Sequence, residues 1–207
     1  VTMSGVGRMA QARREALVCF AAAEFAGRGY EQASLNAIIR SAGMSKSSFY
    51  HFVGSKQALF ELVISDGAER LVRALHIPAP EDLSDDFWPQ ITELIGRLAA
   101  LGERQPQLGD VGRMFYLDDA PRQPGAALHG AWAVIDRWLA EAIAVGRRTG
   151  QIGDDLPAAL QARLAVAVLQ VMDQWSLRND DQLTAHDRRQ LGHAQLAAVR
   201  RLLGGAP

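Results

Sequence analysis

Apolar residues recur at helical spacing along almost the whole chain. Leu17, Phe20, Ala21 and Phe25 share one face of a helix predicted over about residues 13–28, and Gly29 supplies its stop. Ser34 is placed to N-cap a short helix running through Ser41; Ala42-Gly43-Met44 makes a turn, and Ser45 caps a third helix ending near Phe52. Gly54 interrupts the chain again, and Ser55 caps a long fourth helix toward Leu75. The prolines of His76-Ile77-Pro78-Ala79-Pro80 mark a linker. Beyond it the pattern predicts helices near 84–103, 108–118, 123–148, 157–177 and 185–203. Apolar and polar residues alternate nowhere over a useful length, so strands are not indicated. The expected fold class is all-α.

Two of the later helices are rich in apolar surface. Between Pro124 and Gly146, Leu128, Ala131, Trp132, Ile135, Trp138, Leu139, Ala142 and Ile143 make one wide apolar face. Residues 157–177 are apolar nearly all round, through Leu160, Leu164, Val166, Val168, Leu169, Val171, Met172 and Trp175. Such a helix must be covered on both sides, by its own chain or by a second copy. The last helix, with Leu191, Ala194, Leu196, Ala198, Val199 and Leu202, has the small residues that permit close approach.

Charge divides the chain unevenly. The formal net charge is −1, but residues 1–56 hold seven Lys and Arg against three acids, and both lysines of the chain, Lys46 and Lys56, lie there. A basic end on an acidic body suggests that only the first end meets a polyanion. The single cysteine, Cys19, excludes an internal disulfide framework and fits a reducing, cytoplasmic setting. No apolar run approaches the roughly 20 residues of a membrane span, and the first ten residues lack the apolar stretch of a secretory signal.

The basic segment also carries the pattern of a helix-turn-helix. Such a motif needs a supporting helix, a tight turn and a second helix that fits the major groove. Gly43 stands where the turn needs a positive backbone angle. Ile38, Met44, Phe49 and Phe52 are spaced to pack the short helices on the first. Lys46, Ser47, Ser48, Tyr50 and His51 then fall on or near the outer face, while Ser34, Tyr50 and Lys56 suit phosphates. Three amphipathic helices with ordinary caps would give much of the same pattern.

The residues themselves favour the motif. Phe25-Ala26-Gly27-Arg28-Gly29-Tyr30, Ser34, Ile38, the run from Ala42 to Phe52 and Ser55-Lys56-Gln57-Ala58-Leu59 resemble, in order and without gaps, the N-terminal domain of TetR-type regulators. The resemblance implies a DNA-binding domain over 8–54 and a helical effector-binding and dimerisation domain over 55–207. It makes Ser45–His51 the recognition helix, with Tyr50 and Lys56 at phosphate positions and Lys46, Ser47, Ser48 and His51 near base edges. Three residues depart from the family pattern: Ile39 stands for the usual alanine at the helix crossing, Ser47 for glycine, and Glu24 for a core leucine.

The same resemblance implies a homodimer through the last two helices, double-stranded DNA with a roughly palindromic site as partner, and a small-molecule effector inside the body. Repression is the family's usual mode. Trp88, Met114, Phe115, Trp132 and Trp175 are the bulky candidates to line the effector pocket, with Arg113 and His129 as polar handles; for each, ordinary core packing is the simpler reading. The fourth helix would be the lever between pocket and reading head. No metal or cofactor is expected, and an enzyme is disfavoured. The five histidines are scattered, no nucleophile elbow or phosphate loop is present, and the acid pairs Asp85-Asp86, Asp118-Asp119, Asp154-Asp155 and Asp180-Asp181 read as solvated helix starts. A DNA-bound architectural protein without an effector is the remaining alternative.

Overall fold

The structure, a computed structural model, describes residues 11–105, 107–121, 126–179 and 182–204. The described residues are helical or irregular, without strands. The helices are α1 (Gln11–Gln32), α2 (Leu35–Ser41), α3 (Lys46–Phe52), α4 (Lys56–Leu75), α5 (Phe87–Arg104), α6 (Gln107–Met114), α7 (Ala127–Arg148), α8 (Ala158–Asn179) and α9 (Ala185–Leu202), with a 3-10 turn at Pro80–Leu83. They form two compact units: one from 1–71 and 105–131, the other from 72–104 and 132–207.

In the first unit, α1 turns Leu17, Val18, Ala21, Ala22 and Phe25 inward. Phe20, expected on that face, is 43% exposed, because the buried stripe is centred between Ala21 and Phe25, more than about a third of a turn away from it. Phe25, Tyr30 and Phe60 pack as an aromatic group with ring centroids 5.2–5.9 Å apart. Asp66 on α4 is almost wholly buried and pairs with Arg14 of α1 at 3.0 Å and with Arg70 of its own helix at 2.5 Å. Where α4 meets α6, a Cβ on Gly67 would fall 2.5 Å from Val111 Cγ1, so the approach depends on the missing side chain.

The second unit closes on Leu83, Phe87, Trp88, Ile143, Ile152 and Val199. Its polar groups are tied off within it. Trp88 Nε1 donates to Gln151 O at 2.9 Å, and Trp138 Nε1 to Pro78 O at 2.8 Å. Arg147 donates to Leu156 O and to Gln161 Oε1, which fixes the loop between α7 and α8. Thr184 and Asp187 form a reciprocal capping box at the start of α9.

One face of α8 stays open. Leu160, Val171 and Trp175 are 46%, 67% and 50% exposed, and they recur at spacings that share a helical stripe.

Candidate nucleic-acid interface

The predicted caps are present. Ser34 Oγ accepts from the Ala37 N–H at 3.3 Å and Ser45 Oγ from the Ser48 N–H at 3.1 Å, so each short helix has one of its free donors satisfied. Gly43 takes φ +63°, and the turn is closed by Gly43 N–H to Arg40 O and Met44 N–H to Ile39 O, both 3.0 Å. Ile38, Met44 and Phe49 face inward. Ile39 is also buried, 4% exposed, so the side chain larger than alanine is taken up inside the crossing.

The outer face of α3 carries Lys46, Ser47, Tyr50 and His51, all exposed, with Ser48 half-buried. Tyr50 leans its ring edge-on to Phe49 at 5.4 Å, and His51 does the same to Phe52 at 4.9 Å. The Ser45 hydroxyl donates to Ser48 Oγ at 2.9 Å; these two hydroxyls hold the helix start together.

Glu24, out of place by pattern, has a structural partner. Its carboxylate accepts from the Ser34 N–H at 2.9 Å and pairs with Arg28 at 3.3 Å. The third residue of α2 is Ala37, which cannot reach back to complete a capping box, so Glu24 of α1 satisfies that donor instead.

Lys56 is placed differently from a simple phosphate anchor. Its Nζ donates to Glu31 O at 2.9 Å and lies 5.1 Å from the centre of the Tyr30 ring. Beside it, Asp119 accepts from the N–H groups of Tyr30 and Glu31 at 2.9 and 2.8 Å. Gly29 makes this possible: it breaks α1 at φ +78°, and a Cβ there would come 2.9 Å from Asp119 Oδ2. Asp119 therefore does not start a helix, as its sequence setting suggested. It follows α6, which ends at Met114 rather than near 118, and clamps the end of α1.

Partial burial opposes the Asp119 charge, but the N–H groups of Glu31, Tyr30 and Asp119 itself, with the Lys56 ammonium, outweigh it and hold the carboxyl below its ordinary range. A group with a depressed folded pKa stabilises the fold above its unfolded value, about 3.9 for aspartate, and loses that contribution as pH falls through the folded value. Asp119→Ala is thus expected to melt below the parent at neutral pH, and the gap should close below about pH 4. Thermal melts over a pH series check this; a gap independent of pH would remove the charge from the account.

The residues expected at an effector pocket fall in both units. Arg113, Met114, Phe115 and His129 belong to the first unit, and Trp88, Trp132 and Trp175 to the second. Met114 is wholly buried, and Arg113 pairs with Asp110 at 2.6 Å. Trp88 packs in the core with its indole N–H satisfied and Arg200 over its ring at 5.4 Å. Trp132 and Phe115 are half-buried, whereas His129 and Trp175 are exposed. Trp175 lies on the open face of α8 with Leu160 and Val171. Among the described residues no helix is long and apolar enough to cross a membrane, and no three His, Cys, Asp or Glu side chains group to hold a metal.

A capped helix-turn-helix followed by further helices defines an all-α protein of the DNA-reading class. Residues 20–63 match the family described as bacterial regulatory proteins, tetR family. No curated protein matches the sequence. Solved structures share the fold: a TetR family transcriptional regulator from Chloroflexus aurantiacus J-10-FL is 19% identical, with a TM-score of 0.69 over 96% of this chain and 95% of that one. The fatty acid degradation regulator FadR from Bacillus halodurans is 18% identical, with a TM-score of 0.69 over 96% and 98%. AibR, solved in complex with isovaleryl coenzyme A and operator DNA, is 18% identical, with a TM-score of 0.67 over 90% and 97%. The family match spans residues 20–63, and the solved structures share the fold over most of the chain.

Proposed function

We propose that the protein is a transcriptional repressor of the cytoplasm that binds a roughly palindromic operator as a homodimer and leaves it when a small molecule occupies its helical body. Residues 8–54 act as the DNA-binding domain and 55–207 as the effector-binding and dimerisation domain; of these ranges, residues 8–10, 106, 122–125, 180–181 and 205–207 lie outside the described residues. The observation that carries the reading is the outer face of α3. Lys46, Ser47, Tyr50 and His51 point to solvent from a helix held by a capped start and a buried Phe49, which is the presentation a major groove requires. Ser34 and Tyr50 stand at its margins as phosphate contacts, with Lys56 once its ammonium turns from Glu31.

The open stripe of Leu160, Val171 and Trp175 supports pairing of α8 and α9 with their copies. AibR, whose structure holds both a coenzyme A ester and operator DNA, offers a precedent for an effector in this fold. An effector releases DNA only by binding the DNA-incompetent arrangement better, and by no more than that difference. Two links inside the first unit would pass such a change to the reading head: Val111 of α6 against Gly67 of α4, and Asp119 on the end of α1.

Selection of bound sequences from random duplex DNA tests the reading. The expected result is one enriched site with two-fold symmetry, and enrichment of nothing above the starting pool would overturn it.

A further inference from the structure

Glu31, at the end of α1, is gripped from two directions. Its N–H donates to Asp119 Oδ2 at 2.8 Å, and its C=O accepts from the Lys56 ammonium at 2.9 Å. Asp119 comes from the turn after α6 and Lys56 from the start of α4, and all three residues lie in the first unit. Tyr30 repeats the arrangement. Its N–H donates to Asp119 Oδ1 at 2.9 Å, and its ring centre lies 5.1 Å from the same ammonium.

We propose that Asp119 is a positioning residue for Lys56: a latch that keeps the ammonium on the end of α1, away from a DNA phosphate, until the turn after α6 withdraws. The inference rests on the reading of Lys56 as a phosphate contact and adds what makes that contact conditional.

The end of α1 suits both charges. Its last carbonyls lie at the negative end of the helix dipole and favour a cation. The N–H groups turned outward where Gly29 breaks the helix favour an anion, and a Cβ on Gly29 would come 2.9 Å from Asp119 Oδ2. A phosphate that recruits Lys56 must therefore draw it from a carboxylate anchored on the same residue as well as from the Glu31 carbonyl. Glu31 and Asp119 are exposed, so an opened latch leaves its backbone groups to water and strands nothing in the core. The latched arrangement is the one with weaker hold on DNA, and an effector that favours it would release the operator.

The test uses the full chain and a duplex enriched from random DNA, with affinity measured over a salt series. Asp119→Asn removes the charge and keeps an oxygen for the N–H groups. It should tighten binding and steepen the slope of log affinity against log salt by about one. Adding Lys56→Gln should abolish that gain, and Asp118→Asn, the same charge change one residue away, should keep the parent's slope. A gain that survives Lys56→Gln, or that Asp118→Asn reproduces, would reduce Asp119 to general repulsion of DNA and overturn the latch. Weaker binding or an unchanged slope in Asp119→Asn would overturn it too, as the result of a clamp that is only structural.

A second measurement needs no variant. The chain has two lysines, Lys46 and Lys56, so lysine isotope-labelled at Cε gives two NMR signals, of which the Tyr30 ring should shift that of Lys56. The shifted signal should be present in the free protein and give way to an unshifted one when the duplex binds. Its absence from the free protein, or its persistence in the complex, would overturn the latch and leave the repressor reading standing. A parent protein that binds no duplex would overturn both.

Discussion

Arg14→Met with Arg70→Met is expected to cost about 3–5 kcal/mol of folding stability, because it strands a buried carboxylate without a counter-charge. Asp66 is 3% exposed on α4, and the two guanidinium groups, from α1 and from the next turn of α4, are its charged partners. A domain of ordinary stability has only about 5–15 kcal/mol in total, so the double variant should lose a substantial part of it. Adding Asp66→Leu to the pair should recover most of the loss, since an apolar group of similar volume removes the stranded charge. Urea unfolding of the parent, the double and the triple variant measures both steps. A double variant within about 1 kcal/mol of the parent would mean that water reaches the carboxylate and the ion triad does not hold α1 to α4. A triple variant as weak as the double would place the loss in packing.

The elements were legible in the sequence because their signals are local. Ser34, Ser45 and Ser55 each cap the helix that the pattern starts there, and Gly43 turns where a positive angle was required. What the sequence hid depends on rotation and on distance along the chain. Phe20 fits a four-residue repeat as well as Val18 does, and only the seating of α1 shows that Val18 is the buried one. The Arg14–Asp66 pair joins two helices, and Asp119 reaches Tyr30 and Glu31 from a turn 88–89 residues away. Neither contact leaves a periodic trace.

The candidate site divides along the same line. The outward residues of α3 follow from helical spacing once Phe49 is known to point inward. That the Lys56 ammonium is turned inward does not follow, because the same Ser-Lys pair can extend a lysine to solvent or fold it back onto Tyr30.

Val171→Arg is expected to convert the protein to a monomer and to weaken binding to a full palindromic site by about 10²–10⁴-fold, the scale at which linking two weak modules raises affinity. Val171 is 67% exposed in the single chain, in line with Leu160 and Trp175, so the substitution leaves the protomer's own core untouched. In a paired interface the same arginine would be buried among apolar side chains without a counter-charge, which association cannot tolerate. The effect on DNA then follows from geometry alone. Each α3 would meet its half-site as before, but a second half-site would no longer be held at high effective concentration. Sedimentation at micromolar protein and titration of full and half sites separate the two steps. The expected pattern is a monomer whose half-site affinity equals that of the parent. A variant that remains dimeric would place the interface elsewhere on the chain, and a monomeric variant with undiminished affinity for the full site would show that one reading head suffices.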